Sequence, residues 1–418
     1  MQMRALLQPL LGILVLVGLT WACSEARRKI CWRSVLAALA VQLLLAFAAL
    51  RLPWVRRGLL ATADGIGKLK DATASGTSFV FGYVGGGPPP WLEAVPGRTF
   101  VFAFQALPMV MVVSALAMLL FHWGILQRVV RVCAWVLRRT LRVGGALGAC
   151  AAAKIFLGQT EAPLLIRPYV SKLSRSELFS VMTLGMSTTS ASVMVLYASI
   201  LADTLPNAMA HVLTASLISV PGAIALSRLL VPNHGPATDG DVVTPFHFES
   251  SMEAIAQGAS DGMKLYLNII AMLIVMLALV ALFNSILGVV PWPGPSALSL
   301  EHLFGWCLAP LAWLMGIPWH EAAVAGHLIG TKLALNEVMA FVRMAAEPAD
   351  SLSGHSRTIL TYALCGFANL SSVGIQIAGL GTMAPDRRSE ITALAFRALI
   401  IGTAASCLSG TLVGLLTP

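Results

Sequence analysis

A carboxylate stands in the middle of an apolar run of membrane length. It is Glu161, within Gly158-Gln159-Thr160-Glu161-Ala162-Pro163, inside the run Ala146–Val170. An ionised carboxylate near the bilayer centre costs roughly 3 kcal/mol on insertion scales, so it normally faces protein or a water-filled cavity. Gly158 and Pro163 argue against one continuous helix. Broken backbone at membrane depth is tolerated only where it is buried in protein or lines a cavity. Lys154 lies one helical turn before Gly158, so an ammonium, an amide, a hydroxyl and a carboxylate cluster in hydrophobic sequence. The stretch reads as a re-entrant hairpin with its tip near Gln159–Pro163. The plain alternative is a structural Lys–Glu pair.

The rest of the chain fits a polytopic membrane protein. Of 418 residues 57% are hydrophobic and 11% charged, and the mean hydropathy is +0.80; soluble domains carry about 25% charge. The length allows roughly ten spanning or re-entrant segments at about 20 residues each. The net charge of +9 comes from short Arg and Lys clusters between apolar runs, the positive-inside pattern, and implies no nucleic-acid partner. The seven Cys contain no CxxC and read as small apolar residues, without a disulfide framework or a zinc site. No cofactor is implied.

In chain order, Leu6–Ala22 is a retained first span and Ser34–Leu52 the second. Arg27, Arg28, Lys29 and Arg33 between them place that loop in the cytoplasm and the N-terminus outside. Leu59–Tyr83 is an interfacial or packed helix, Gly85–Pro90 a loop, and Phe100–Trp123 the third span. Ile125–Arg142, with Arg128, Arg131, Arg138, Arg139 and Arg142, is an amphipathic surface helix. After the hairpin, Ser176–Ala202 recrosses the membrane. It contains Gly185-Met186-Ser187-Thr188-Thr189-Ser190-Ala191-Ser192, a density of hydroxyls that marks an unwound segment. Ala208–Leu230 is the next span. Val231–Gly262 is the polar midpoint, Lys264–Leu287 a clean span, and Pro291–Pro295 a loop. Leu300–Met315 is short. Gly316–Met344 reads as a second hairpin, Ser356–Met383 as a second interrupted span (Phe367–Ser372), and Ile391–Leu416 as the last span.

The two halves share a plan: a hairpin tip with Glu161 precedes a break at Gly185–Ser192, and one with Glu337 precedes a break at Gly366–Ser372. Paired discontinuous segments of this kind point to a transporter site between repeats. Carboxylates accept hydrogen bonds from sugar hydroxyls and amides pair with a base edge, so the solute is polar, neutral and rich in hydroxyls. The organisation expected is 1–142 as N-terminal spans and surface helices, mostly scaffold; 143–231 as the first repeat; 232–299 as midpoint loop and scaffold span; and 300–418 as the second repeat.

At these residues the chain resembles the concentrative nucleoside transporters. The strongest stretches are GQTEAPLLIRPY (Gly158–Tyr169), RSELFSVMT (Arg175–Thr183), GTKLALNE (Gly330–Glu337) and ALCGFANLSSVGIQIAGLG (Ala363–Gly381). The resemblance implies an all-α membrane fold with about eight transmembrane helices and two re-entrant hairpins in an inverted repeat. It implies nucleobase contacts at Gln159, Thr160 and Glu161, and ribose contacts at Glu337, Asn369 and Ser372. Phe367 matches the aromatic residue of that site and Val193 an apolar neighbour. It also implies a homotrimer whose transport domain moves elevator-fashion against a scaffold, in a bacterial inner membrane. The departure is Lys154, where sodium-coupled members carry an Asn that helps ligate the ion beside Thr188 and Thr189. A Lys ammonium has three donors and no acceptor, so it cannot ligate Na⁺. The expectation is nucleoside import coupled to protons, with Glu161 and Glu337 as candidate carriers. The alternative is sodium coupling, with Lys154 snorkelling away from the ion.

Rival classes fail on their motifs. His320-Glu321 begins an HExxH, but position 324 is Val and His327 lies two turns on, roughly 10 Å along a helix. No GxSxG elbow and no P-loop is present, which removes a serine hydrolase and an ATP-driven pump. A channel stays open on composition, although two asymmetric re-entrant tips with carboxylates favour a gated solute site over an open ion path; a receptor would not need two buried carboxylates.

Overall fold

The computed structural model describes residues 2–88, 90, 100–141, 143–159, 161–202, 204–233, 235, 237–240, 248–289, 298–348 and 350–417. Thr160 and Arg142 therefore lie outside the described residues, as does the whole of the loop 291–295. The described residues form helices and no strand, as a chain with no water to satisfy its backbone requires. In order these are α1 (Gln2–Ala22), α2 (Trp32–Arg51), α3 (Pro53–Phe81), α4 (Phe102–Gln105), α5 (Met109–His122), α6 (Ile125–Leu141), α7 (Gly145–Ala153), α8 (Glu161–Leu164), α9 (Arg167–Val170) and α10 (Arg175–Ser187). They continue with α11 (Ala191–Leu201), α12 (Ala208–Leu230), α13 (Ser251–Leu287), α14 (Leu300–Leu314), α15 (Trp319–Ala334), α16 (Glu337–Ala346), α17 (Gly354–Leu364), α18 (Leu370–Met383) and α19 (Arg388–Leu416).

Six stretches among the described residues are long and apolar enough to cross a bilayer: Trp32–Arg51, Phe102–His122, Arg175–Leu201, Ala208–Leu230, Ser251–Leu287 and Pro385–Leu416. With α1 and the broken pair α17/α18 they make the eight crossings expected. The two hairpins are α7 to α9 and α15/α16. Each is followed by a broken span, α10/α11 and α17/α18, and then by a continuous one, α12 and α19. The packing repeats as well: α10 lies on α12 and α19, and α17 on α19 and α12. α1 and α2 lie against α12 and α19, while α5 and α13 pack on each other.

Local sequence explains the joints. Ser174 caps α10 in a reciprocal box with Glu177, and the same Glu177 accepts from Thr238 N–H at 2.9 Å and Thr238 Oγ1 at 2.6 Å. α6 buries Leu126, Val130, Ala134, Leu137 and Leu141 and turns its arginines outward, the amphipathic surface helix expected. One element differs from the sequence reading. The polar stretch before residue 264 does not end in a loop; from Ser251 it belongs to α13, a single helix of 37 residues. Gly258 and Gly262 fall inside this helix. They serve packing, because a Cβ on either would meet α5 backbone (Ala115 Cα, Met111 Cα) at 2.6 Å.

Candidate substrate site

The two hairpin tips and the two breaks meet around one cavity of about 470 Å³, a volume suited to a small polar solute. Gln159, Glu161, Val193, Glu337, Phe367, Asn369 and Ser372 line it, together with Gly158, Ser190, Asn336 and Ser371. Every described residue expected to touch substrate is therefore brought to one place.

Helix ends explain how polar groups are held there. Glu161 and Glu337 are the first residues of α8 and α16, and Asn336 and Asn369 are the N-caps of α16 and α18. The positive end of a helix favours a carboxylate in its first turn. Asn336 Oδ1 accepts from Met339 N–H at 2.9 Å, and Asn369 Oδ1 from Ser372 N–H at 2.8 Å. With its oxygen so engaged, the Asn369 amide is oriented to donate to Glu337 Oε2 at 2.8 Å. Glu337 and Asn369 thus form one buried donor–acceptor pair across the second hairpin and the second break. Glu161 instead turns back on its own tip, where its Oε2 accepts from Gly158 N–H at 3.0 Å. Gln159 Oε1 is buried with no hydrogen-bond partner among the described residues.

The three residues expected at the ion position lie behind this wall. Thr188 and Thr189 are fully buried at the first break. Thr188 Oγ1 donates to Leu184 O at 2.7 Å, which satisfies the end of α10. Thr189 Oγ1 lies 3.8 Å from Cys365 Sγ. Lys154 is also fully buried. Its ammonium makes no hydrogen bond among the described residues and stands 6.0 Å from the centre of the Phe367 ring. The two breaks are themselves joined, since Phe367 N–H donates to Thr188 O at 3.4 Å.

Sequence reasoning did not single out the outer wall. Asp261, Lys264 and Asn268 of α13 also line the cavity, with Lys264 Nζ 3.0 Å from Asp261 Oδ1. Their i, i+3, i+7 spacing puts them on one helix face. That signal became legible once the segment was known to be helical.

The comparisons with known proteins agree with this architecture. Residues 211–414 match the family model "Na+ dependent nucleoside transporter C-terminus", residues 11–84 its N-terminal counterpart, and residues 103–204 the model "Nucleoside recognition". The chain is 36% identical to the nucleoside permease NupC of Helicobacter pylori, over 97% of this chain and 96% of that one. It is 33% identical to the sodium/nucleoside cotransporter 1 of Mus musculus, over 97% of this chain and 63% of that one. The solved structure of CNTnw in an inward-facing substrate-bound state superposes with a TM-score of 0.91 at 34% identity, covering 99% of this chain and 98% of that one. The chain thus belongs to the concentrative nucleoside transporter family, and is a multi-pass inner-membrane nucleoside transporter rather than an enzyme.

Proposed function

We propose that the chain imports nucleosides together with protons, binding the solute between the two hairpin tips. The observation that carries the reading is the convergence of Glu161, Glu337, Gln159 and Asn369 from opposite hairpins and breaks on one cavity. In this reading Glu337, Asn369 and Ser372 take the ribose hydroxyls. Gln159, Thr160 and Glu161 take the base edge, with Phe367 and Val193 as apolar walls. Two carboxylate acceptors flanked by amides and hydroxyls suit a neutral, hydroxyl-bearing solute, and the one cavity-lining ammonium, Lys264, is already paired with Asp261. The hairpins, the broken spans and α12 and α19 move together against α5 and α13, and three copies associate. The exposed apolar residues of α13, among them Ile274, Leu279, Leu282 and Phe283, support such an association.

Proton coupling rests on Lys154. A buried ammonium without an acceptor supplies a tethered positive charge at the ion position and has no lone pair for Na⁺. Glu161 and Glu337 are the acceptors assigned to the proton. The second reading, sodium coupling, is favoured by the family model's description and by the mouse relative's name; the ammonium weighs against it. Uridine binding to purified protein tests the site. Glu337→Gln should weaken binding about tenfold to a hundredfold, the value of a charge-assisted hydrogen bond, while the melting temperature without ligand holds. Unchanged affinity in that variant would refute the site assignment.

A further inference from the structure

The second hairpin contains a buried cation that the binding site does not use. Lys332, in the last turn of α15, is fully buried. Its Nζ donates to the carbonyl of Ala363 at 2.9 Å. Ala363 lies in the last turn of α17, immediately before the break that carries Phe367 and Asn369.

That carbonyl has lost its helical partner. In a continuous helix the Ala363 oxygen would accept from the N–H four residues on, which is Phe367. Here Phe367 N–H is committed elsewhere, to Thr188 O of the first break. The last intact rung is two back, with Cys365 N–H donating to Thr361 O at 3.2 Å, and no bond from Gly366 N–H to Tyr362 O is made among the described residues. The unwinding of the second span therefore starts at the Tyr362–Gly366 rung and continues through Ala363–Phe367, and Lys332 supplies the donor missing from the latter. An ammonium suits the place doubly, because the carbonyl end of a helix carries partial negative charge.

We propose that Lys332 is a positioning residue that keeps the second span broken. By capping Ala363, it leaves Phe367 N–H free to bind the first break and holds Asn369 where it meets Glu337. Without the cap, a buried carbonyl lacks a donor, and the one that regular helix geometry offers it is the N–H of Phe367. Recovering it extends α17 towards Phe367, withdraws Phe367 from Thr188 and rotates Asn369 away from Glu337. The role of Asn369 as a nucleoside contact rests on the function proposed above; the mechanical role of Lys332 does not.

The test has two arms on purified full-length protein. Lys332→Met keeps the length of the stem and removes the donor. Hydrogen exchange needs no substrate. The Phe367 amide should change its exchange rate about tenfold in Lys332→Met, the value of one buried hydrogen bond, while the amides of residues 178–186 hold theirs. In the binding arm, Lys332→Met should raise the uridine Kd about tenfold on its own and less than about twofold in an Asn369→Ala background, because residues acting through one another are non-additive. Unchanged exchange at Phe367, or additive losses in the cycle, would overturn the inference. An exchange change in a protein that binds neither uridine nor adenosine would support Lys332 and overturn the substrate-site assignment alone. If Lys332→Met does not fold, Lys332→Gln, whose amide donor stands one bond short of the Ala363 carbonyl, carries both arms with changes of the same direction and smaller size; a chain that folds with neither makes Lys332 a structural residue and overturns its assignment as a positioning one.

Discussion

At the scale of residues, the chain's problem is to keep charge inside a membrane, and it does so with helix ends. Glu161 and Glu337 each open a helix, and Lys332 closes one. Lys154 is the exception, buried with no acceptor among the described residues. Replacing it is therefore the most informative single change. Lys154→Asn restores an amide oxygen beside Thr188 and Thr189 and removes the fixed charge. Uridine binding by this variant should become sodium-dependent, with about tenfold tighter binding in sodium than in choline buffer. A sodium titration checks this, and indifference to the ion would show that position 154 is not part of an ion site. Much at this scale was legible in the sequence, because a polar residue in an apolar run has few reasons to be there. Gln159, Glu161, Glu337 and Asn369 stood out in that way. Asp261, Lys264 and Asn268 did not, because they straddle the boundary drawn between the polar midpoint and the span from Lys264, which hides that they share one helix face.

At the scale of elements, the decisive features are the two breaks, and glycine sets how closely they approach. A Cβ on Gly366 would lie 2.8 Å from Ser406 Oγ, 2.9 Å from Ser187 O and 3.0 Å from Met186 O. The last two atoms are backbone at the end of α10 and cannot rotate away. Gly366→Ala should push the breaks apart and weaken the Phe367–Thr188 bond. The expected cost is about 1–3 kcal/mol of stability, typical of overpacking, together with loss of uptake. Thermal unfolding and transport assays on the same preparation would check both effects, and a variant with wild-type stability would show that the contact yields. The breaks themselves were legible from Ser and Thr density and from Gly366-Phe367-Ala368-Asn369. The start of α13 was not. The polarity of Val231–Gly262 reads as a loop between halves, and only the neighbouring α5 backbone shows that Gly258 and Gly262 lie on a packed helix face.

At the scale of the whole molecule, hairpins, broken spans and end spans must be tied together at the membrane surface. Glu25, in the loop after α1, accepts from Arg175 at 2.8 Å and 3.2 Å and also from Arg397. Arg175 reaches Glu390 at 3.3 Å, and Arg387 joins Glu390 at 2.7 Å and the Leu173 carbonyl at 2.5 Å. This network links the loop after α1, the end of the first hairpin and the starts of α10 and α19. The hydrogen bond from Arg175 holds the Glu25 carboxyl below the usual carboxylate range. A carboxyl depressed on folding stabilises fully above its unfolded value, near about 4. That contribution is lost as pH falls through the lowered folded value. Glu25 is largely exposed, so screening keeps the contribution to about 1 kcal/mol or less. Glu25→Gln should lower the melting temperature slightly at neutral pH, and the difference from wild type should shrink as pH falls below about 4 and on through the lowered folded value; a difference that stays constant with pH would show that packing rather than charge is responsible. Transport belongs to this scale too, and one measurement tests the account most directly. Purified protein in proteoliposomes would be given uridine with an inward proton gradient or an inward sodium gradient, each imposed alone. The account predicts accumulation under the proton gradient and none under sodium. Accumulation that requires sodium would place Lys154 outside the ion site and contradict it.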